Sequence, residues 1–129
     1  MTNEEKQILL KDLCARLSYG VIAHALEIDK VGTVTDINVS YNTVNLTVDN
    51  ASGDYELVPI SDIKPYLRPM SSMTREEKDV FSDFLEFQSE YGSDADLETY
   101  DWLNAHHFDY RRLIEKGLAL EAPDGMYEF

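Results

Sequence analysis

The spacing of apolar residues changes twice along the chain, and this constrains the fold more than any single motif. Through residues 2–17, Leu9, Leu13 and Leu17 recur at helical spacing with Leu10 and Cys14 beside them, which predicts a helix with one apolar face. Thr2 and Glu5 have the spacing of a capping box at its start, and Gly20 supplies a stop. From residue 20 to 60 the period falls to two. Ile22, His24, Leu26 and Ile28 alternate with other residues, as do Val44, Leu46 and Val48, and then Tyr55 and Leu57, while 32–39 is rich in Val and Thr. Asp29-Lys30, Tyr41-Asn42 and residues 50–54 carry turn chemistry between these runs. Short antiparallel strands joined by tight turns predict a curled sheet or an SH3-like small barrel of four to five strands.

Pro59 ends the last clear strand. Residues 60–63 read as one helical turn and 64–69 as an extended linker, because a residue before proline is pushed out of the α region. The helical period returns at a second capping box, Thr74 to Glu77, followed by Val80, Phe81, Phe84, Leu85, Phe87 and Tyr91 on one wide stripe that Gly92 closes. Ser93 or Asp94 opens a further helix to about His106, with Leu97, Tyr100 and Leu103 along one side. Asp109 opens a last short helix. Phe108 and Leu113 stand at staple spacing, Gly117 is a left-handed stop, and Leu118 is placed to fold back on Leu113. Residues 118–123 can add an edge strand before Pro123. The expectation is one α+β domain over 1–129: a helix in 1–19, an antiparallel sheet and extended linker in 20–69, and a three-helix segment with a tail in 70–129.

Composition matters chiefly for what it excludes. Hydrophobic residues are 43% and charged residues 28%, ordinary globular proportions. No apolar run approaches the roughly 18–20 residues of a membrane span, and no signal peptide is visible. The single cysteine, Cys14, forms no internal disulfide and reads as a small residue on the apolar helix face, which together place the chain in a reducing cytoplasm. The triplets beginning at Asn38, Asn45 and Asn50 are therefore chance matches to a glycosylation signal.

The net charge is −14 and it is uneven. Between Glu76 and Asp109 there are 11 acidic residues and one base, Lys78. Such a surface argues against direct nucleic-acid binding and against anionic membranes, both of which need clustered Lys and Arg. It suits solubility, and it suits docking on a protein with a basic surface through fast electrostatic encounter. The candidate interaction face is Glu76, Asp79, Asp83, Glu86, Glu90, Asp94, Glu98 and Asp101. Tyr66, Arg68 and Met70 form a second candidate, a recognition strip in the extended linker, and Arg111 and Arg112 are among the few other basic features.

No phosphate-binding glycine loop and no nucleophile elbow is present. His106-His107, with Asp101, Asn104 and Asp109 nearby, is the one cluster that suggests a metal-dependent enzyme or hydrolase. Adjacent histidines point about 100° apart on a helix, and the residues four before them are Trp102 and Leu103, so a third ligand has to come from elsewhere, for example His24. The competing reading is that one histidine packs or caps the helix end and that His24 is a hydrogen-bonded strand residue. No catalytic residue, metal ligand or cofactor is assigned. Alongside the interaction module and the enzyme, a structural or virion component stays open, as does self-association.

Two stretches carry a resemblance: Ile63-Lys64-Pro65-Tyr66-Leu67-Arg68-Pro69-Met70-Ser71-Ser72-Met73-Thr74, and Trp102 to Arg111 running on to Gly117-Leu118-Ala119-Leu120. With the opening helix they resemble a family of small uncharacterised proteins from gut bacteria and their phages and mobile elements. Members often read Tyr-Arg-Gly where this chain has Tyr110-Arg111-Arg112, so a tight glycine is not expected to be required at Arg112. The resemblance carries no activity, cofactor or catalytic residue. It implies a small accessory protein, phage-borne or carried by a mobile element, and favours interaction over catalysis.

Overall fold

Thr2 opens the first helix, α1 (Asn3–Arg16), as its spacing with Glu5 requires. The Thr2 hydroxyl accepts from the Glu5 amide at 3.1 Å, and the Thr2 amide donates to the Glu5 carboxylate at 2.8 Å. A 3-10 turn, Leu17–Tyr19, and Gly20 at φ 71° lead the chain into the sheet. The computed structural model describes residues 1–49, 51–91 and 93–127, and the side chains of these except 49, 87–91 and 93–96.

Among the described residues six strands follow: β1 (Ile22–Ala25), β2 (Lys30–Asn38), β3 (Thr43–Asp49), β4 (Asp54–Pro59), β5 (Ile63–Leu67) and β6 (Leu120–Glu121). Their order is β4-β3-β2-β1-β5-β6, and the sheet is open. Four pairings are antiparallel and β5–β6 is parallel. The expectation of four to five antiparallel strands is thus corrected to six in a mixed sheet. The extended linker is itself β5, hydrogen-bonded between β1 and β6, because the 3-10 turn Ile60–Asp62 returns the chain alongside β1. β6 pairs only with Tyr66 and Leu67, so Pro65 stands where β5 faces β1 alone and its missing amide hydrogen is tolerated. Leu26 and Ile28, expected in a strand, lie in the β1–β2 turn and are exposed. Gly32 is needed where β2 meets β3, since a Cβ there would overlap the Thr47 carbonyl oxygen.

α1 lies on one face of the sheet. Leu9, Leu10 and Leu13 bury against Val21, Ala23 and Ala25, Val34, Val44 and Leu46, closed by Ile63, Leu67, Leu113 and Leu118. Asp12 and Arg16 occupy the same buried face, and Cys14 points to solvent, which corrects its expected burial. Tyr55 and Leu57, on the alternate face of β4, are exposed.

Two further helices, α2 (Arg75–Tyr91) and α3 (Ser93–Ala105), pack on each other. The stop at Gly92 and the caps at Ser93 or Asp94 lie outside the described residues and side chains. The expected third C-terminal helix is a correction: residues 109–117 form turns. His107 at φ 59° and Arg112 at φ 60° are left-handed, which breaks a helical path. The Asp109 carboxylate instead gathers the amides of Leu113 and Ile114 at 2.8 and 3.0 Å. Gly117, at φ 75°, and the Leu118 amide, bonded to the Leu113 carbonyl at 2.9 Å, behave as the left-handed stop requires.

Arg112 holds a backbone that glycine favours, although the chain carries arginine there. Arg112→Gly is expected to stabilise the protein by about 0.5–1 kcal/mol, the relief of left-handed strain less the extra chain entropy of glycine. Thermal melting of the two proteins checks this: a rise of a few degrees is expected, and an unchanged or lower midpoint contradicts it.

Candidate interaction surface

The α2–α3 pair is held to the sheet by a polar anchor. Glu77 closes the capping box that starts α2, accepting from the Thr74 amide at 2.9 Å while the Glu77 amide donates to the Thr74 hydroxyl at 3.2 Å. The same carboxylate takes two bonds from the Arg68 guanidinium, at 2.8 and 2.6 Å. Arg68 lies over the Phe108 ring at 4.2 Å, and its amide and carbonyl bridge the chain after α3, bonding the His107 carbonyl and the Asp109 amide at 2.8 Å each. Around this anchor Met73, Leu103 and Phe108 bury together, with Phe81 and Phe84 against Trp102 at ring distances of 6.2 and 5.9 Å.

Beyond the anchor the two helices present acid to solvent. Glu76, Asp79, Asp83 and Glu86 on α2 are exposed, as are Glu98 and Asp101 on α3. The side chains of Glu90 and Asp94 lie outside the described residues. Apolar groups stand among these acids: Val80 is 40% exposed, Leu85 47%, Leu97 68% and Tyr100 49%. Val80 and Phe84 with Asp83 and Glu98 line a shallow groove of about 250 Å³ between the helices. The sequence places Val80 and Phe84 on one wide apolar stripe; in the structure Val80 is half-exposed and Phe84 is partly buried against Trp102.

The second candidate is split up by the fold. Tyr66 is half-buried in β5, and its carbonyl accepts from the Tyr127 hydroxyl at 2.7 Å. Arg68 is engaged by Glu77 and Phe108. Met70 packs on the aromatic cluster and reaches the lip of a concavity of about 720 Å³ lined also by Pro69, Tyr110, Arg112 and Ile114. No family model, curated protein or solved structure matches the chain.

The histidines are dispersed. His24 pairs with Asp29 at 2.7 Å on the β1–β2 turn. His106 Nδ1 lies 3.7 Å from Glu77 and its ring is 4.7 Å from Trp102. His107 is buried and stacks on Tyr127 at 3.9 Å. Among the described residues no three His, Cys, Asp or Glu side chains gather as metal ligands. Asp101 is exposed, Asn104 accepts from the Tyr110 hydroxyl at 2.8 Å, and Asp109 holds its two amides. Arg111 reaches back to Asp12 at 3.2 Å, an ion pair across the chain that local spacing does not show.

Burial pushes the His107 imidazole down to about 4, and the nearby Arg16 cation acts in the same direction. His106 is also lowered, chiefly by desolvation, with Glu77 opposing. Glu77 is held down at about 2, first by its hydrogen bonds from Arg68. An unfolded histidine takes its proton near pH 6.5, whereas native His107 resists until about 4. Stability contributed by neutral burial is therefore complete above pH 6.5 and is lost as pH falls toward 4, by up to about 3 kcal/mol. The Glu77 contribution is present above 4.5 and is lost only as pH falls through about 2. Melting temperature is expected to decline from pH 6.5 to 4.5, before carboxylates dominate. In His107→Asn, a residue that tolerates the left-handed backbone, this slope is expected to flatten; an equal slope in both proteins contradicts the assignment.

Proposed function

We propose that this protein is a non-enzymatic interaction module whose α2–α3 face docks on a basic surface of a partner protein. The observation that carries the reading is the concentration of exposed acid on one helical pair together with exposed apolar side chains. Solubility alone asks for dispersed charge, and here like charges stand one turn apart. Asp79 and Asp83 are four residues apart and Glu98 and Asp101 three, spacings that cost a few tenths of a kcal/mol each on a helix. A basic partner relieves that repulsion and exploits it for rapid encounter. Among the described residues no helix is long and apolar enough to cross a membrane.

Other features support the finer reading. The strand order β4-β3-β2-β1-β5, with a 3-10 turn between β4 and β5, supports an SH3-like description of the sheet. The lone cysteine suits a reducing cytoplasm, and the family resemblance suits an accessory protein of phage or mobile-element origin.

The test is a variant carrying Asp79→Asn, Asp83→Asn, Glu98→Gln and Asp101→Asn. The unaltered protein, used as bait in an extract of its host, is expected to retain a basic protein that a high-salt wash releases. The variant is expected to melt at the same or a higher temperature and to lose that protein. Retention of the same partner by the variant overturns the proposal.

A further inference from the structure

The groove between α2 and α3 adds a chemical requirement to the acidic face. Among the described residues its lining is Val80 and Phe84, four residues apart on α2, with Asp83 from the same helix and Glu98 from α3. At about 250 Å³ it falls below the roughly 300–1,000 Å³ typical of small-molecule sites, and it is open to solvent. It suits one inserted side chain better than a free ligand. The carboxylates beside it repel a second copy of this chain, a nucleic acid and an anionic bilayer alike.

We infer that the groove takes a single apolar side chain presented by a basic helical segment of the partner, with Lys or Arg on either side of that anchor. Charge complementarity selects the segment: Asp83 and Glu98 come from different helices, so a cation on each side of the anchor meets a carboxylate. Glu76, Asp79 and Asp101 extend the acidic field and are exposed. The apolar contact gives the face a selectivity that charge lacks, because one desolvated anchor discriminates among equally basic sequences. This inference rests on the acidic-face reading, and its test separates the two.

The probes are two labelled synthetic helical peptides of equal charge. Each carries Lys residues one turn before and one turn after a central position that is Leu in one and Gln in the other. Binding is followed by fluorescence anisotropy at low and moderate salt. The Leu peptide is expected to bind about tenfold more tightly than the Gln peptide. Val80→Glu, at a half-exposed site, is expected to abolish that difference. Val80→Thr, which keeps the shape of the side chain, is expected to reduce it and guards against misfolding of the first variant. Both are checked by circular dichroism. Equal binding of the two peptides, or a difference that survives in both folded Val80 variants, overturns the groove while leaving the acidic face standing. Failure of both peptides to bind at either salt overturns both.

Discussion

Replacing Asp12 by alanine is expected to lower the unfolding free energy by about 3–5 kcal/mol, the largest loss at any single site described above. Asp12 and Arg16 are both fully buried, one turn apart on the face of α1 that meets the core. The carboxylate takes two bonds from Arg16, at 2.9 and 3.2 Å, and a third from Arg111 at 3.2 Å. Arg16 also donates to the Phe108 carbonyl at 2.6 Å and lies over the Tyr110 ring, so it ties α1 to the chain after α3. Its Nη1 is already buried without a partner among the described residues. Without Asp12, a buried guanidinium loses its counter-charge, whereas Asp12→Ala with Arg16→Met removes the charge as well. The double variant is therefore expected to lose less than Asp12→Ala alone. Denaturant melts of the three proteins decide the matter, and a loss under about 1 kcal/mol for the single change contradicts the account.

Arg68→Ala is expected to cost about 2–4 kcal/mol, less than Asp12 because this pair is partly exposed. The change removes the paired bonds to Glu77 and the stacking on Phe108, and so frees α2 from the end of β5. Two local readouts separate this from general damage. Amide exchange is expected to speed up in α2 while β2 and β3 keep their protection. The Glu77 carboxyl is also expected to rise from about 2 toward 4.5, which erases stability otherwise lost over that acid range. Uniform loss of protection, or an unchanged acid limb, contradicts the anchor. The functional consequence follows from position: the acidic face keeps its charge but loses the register that presents the groove.

Legibility in the sequence followed the range of the interactions. Both capping boxes were readable because each closes within four residues, and both are present. The Gly117 stop and its return to Leu113 were readable for the same reason. The stretch 64–69 read as extended, but its role as an inner strand depends on β1 and on β6, some fifty residues further along the chain. The last helix failed because Asp109 has a local signature shared by helix starts and by the turn it builds, and left-handed Arg112 decides between them. Cys14 was misplaced because Leu9 and Leu13 share their face with Asp12 and Arg16, a buried ion pair that apolar periodicity cannot register. Of the candidate face, the charge was legible, whereas the groove was not, because an apolar stripe on a helix does not state which of its residues a neighbour covers.

By itself the sequence determined the α+β class, the positions of α1, α2 and the hairpin strands, and the concentration of acid between Glu76 and Asp109. These follow from hydrophobic period, caps and composition, which are properties of neighbouring residues. Only the tertiary structure decided that Arg68 bonds Glu77 and lies over Phe108, that His24 lies away from His106 and His107, and that Val80 is left half in water. Each depends on how separate elements come together: Glu77 and Phe108 against Arg68, and Tyr127 against His107. Local pattern states what a residue prefers, and chain-distant packing states whether a partner is there to satisfy it.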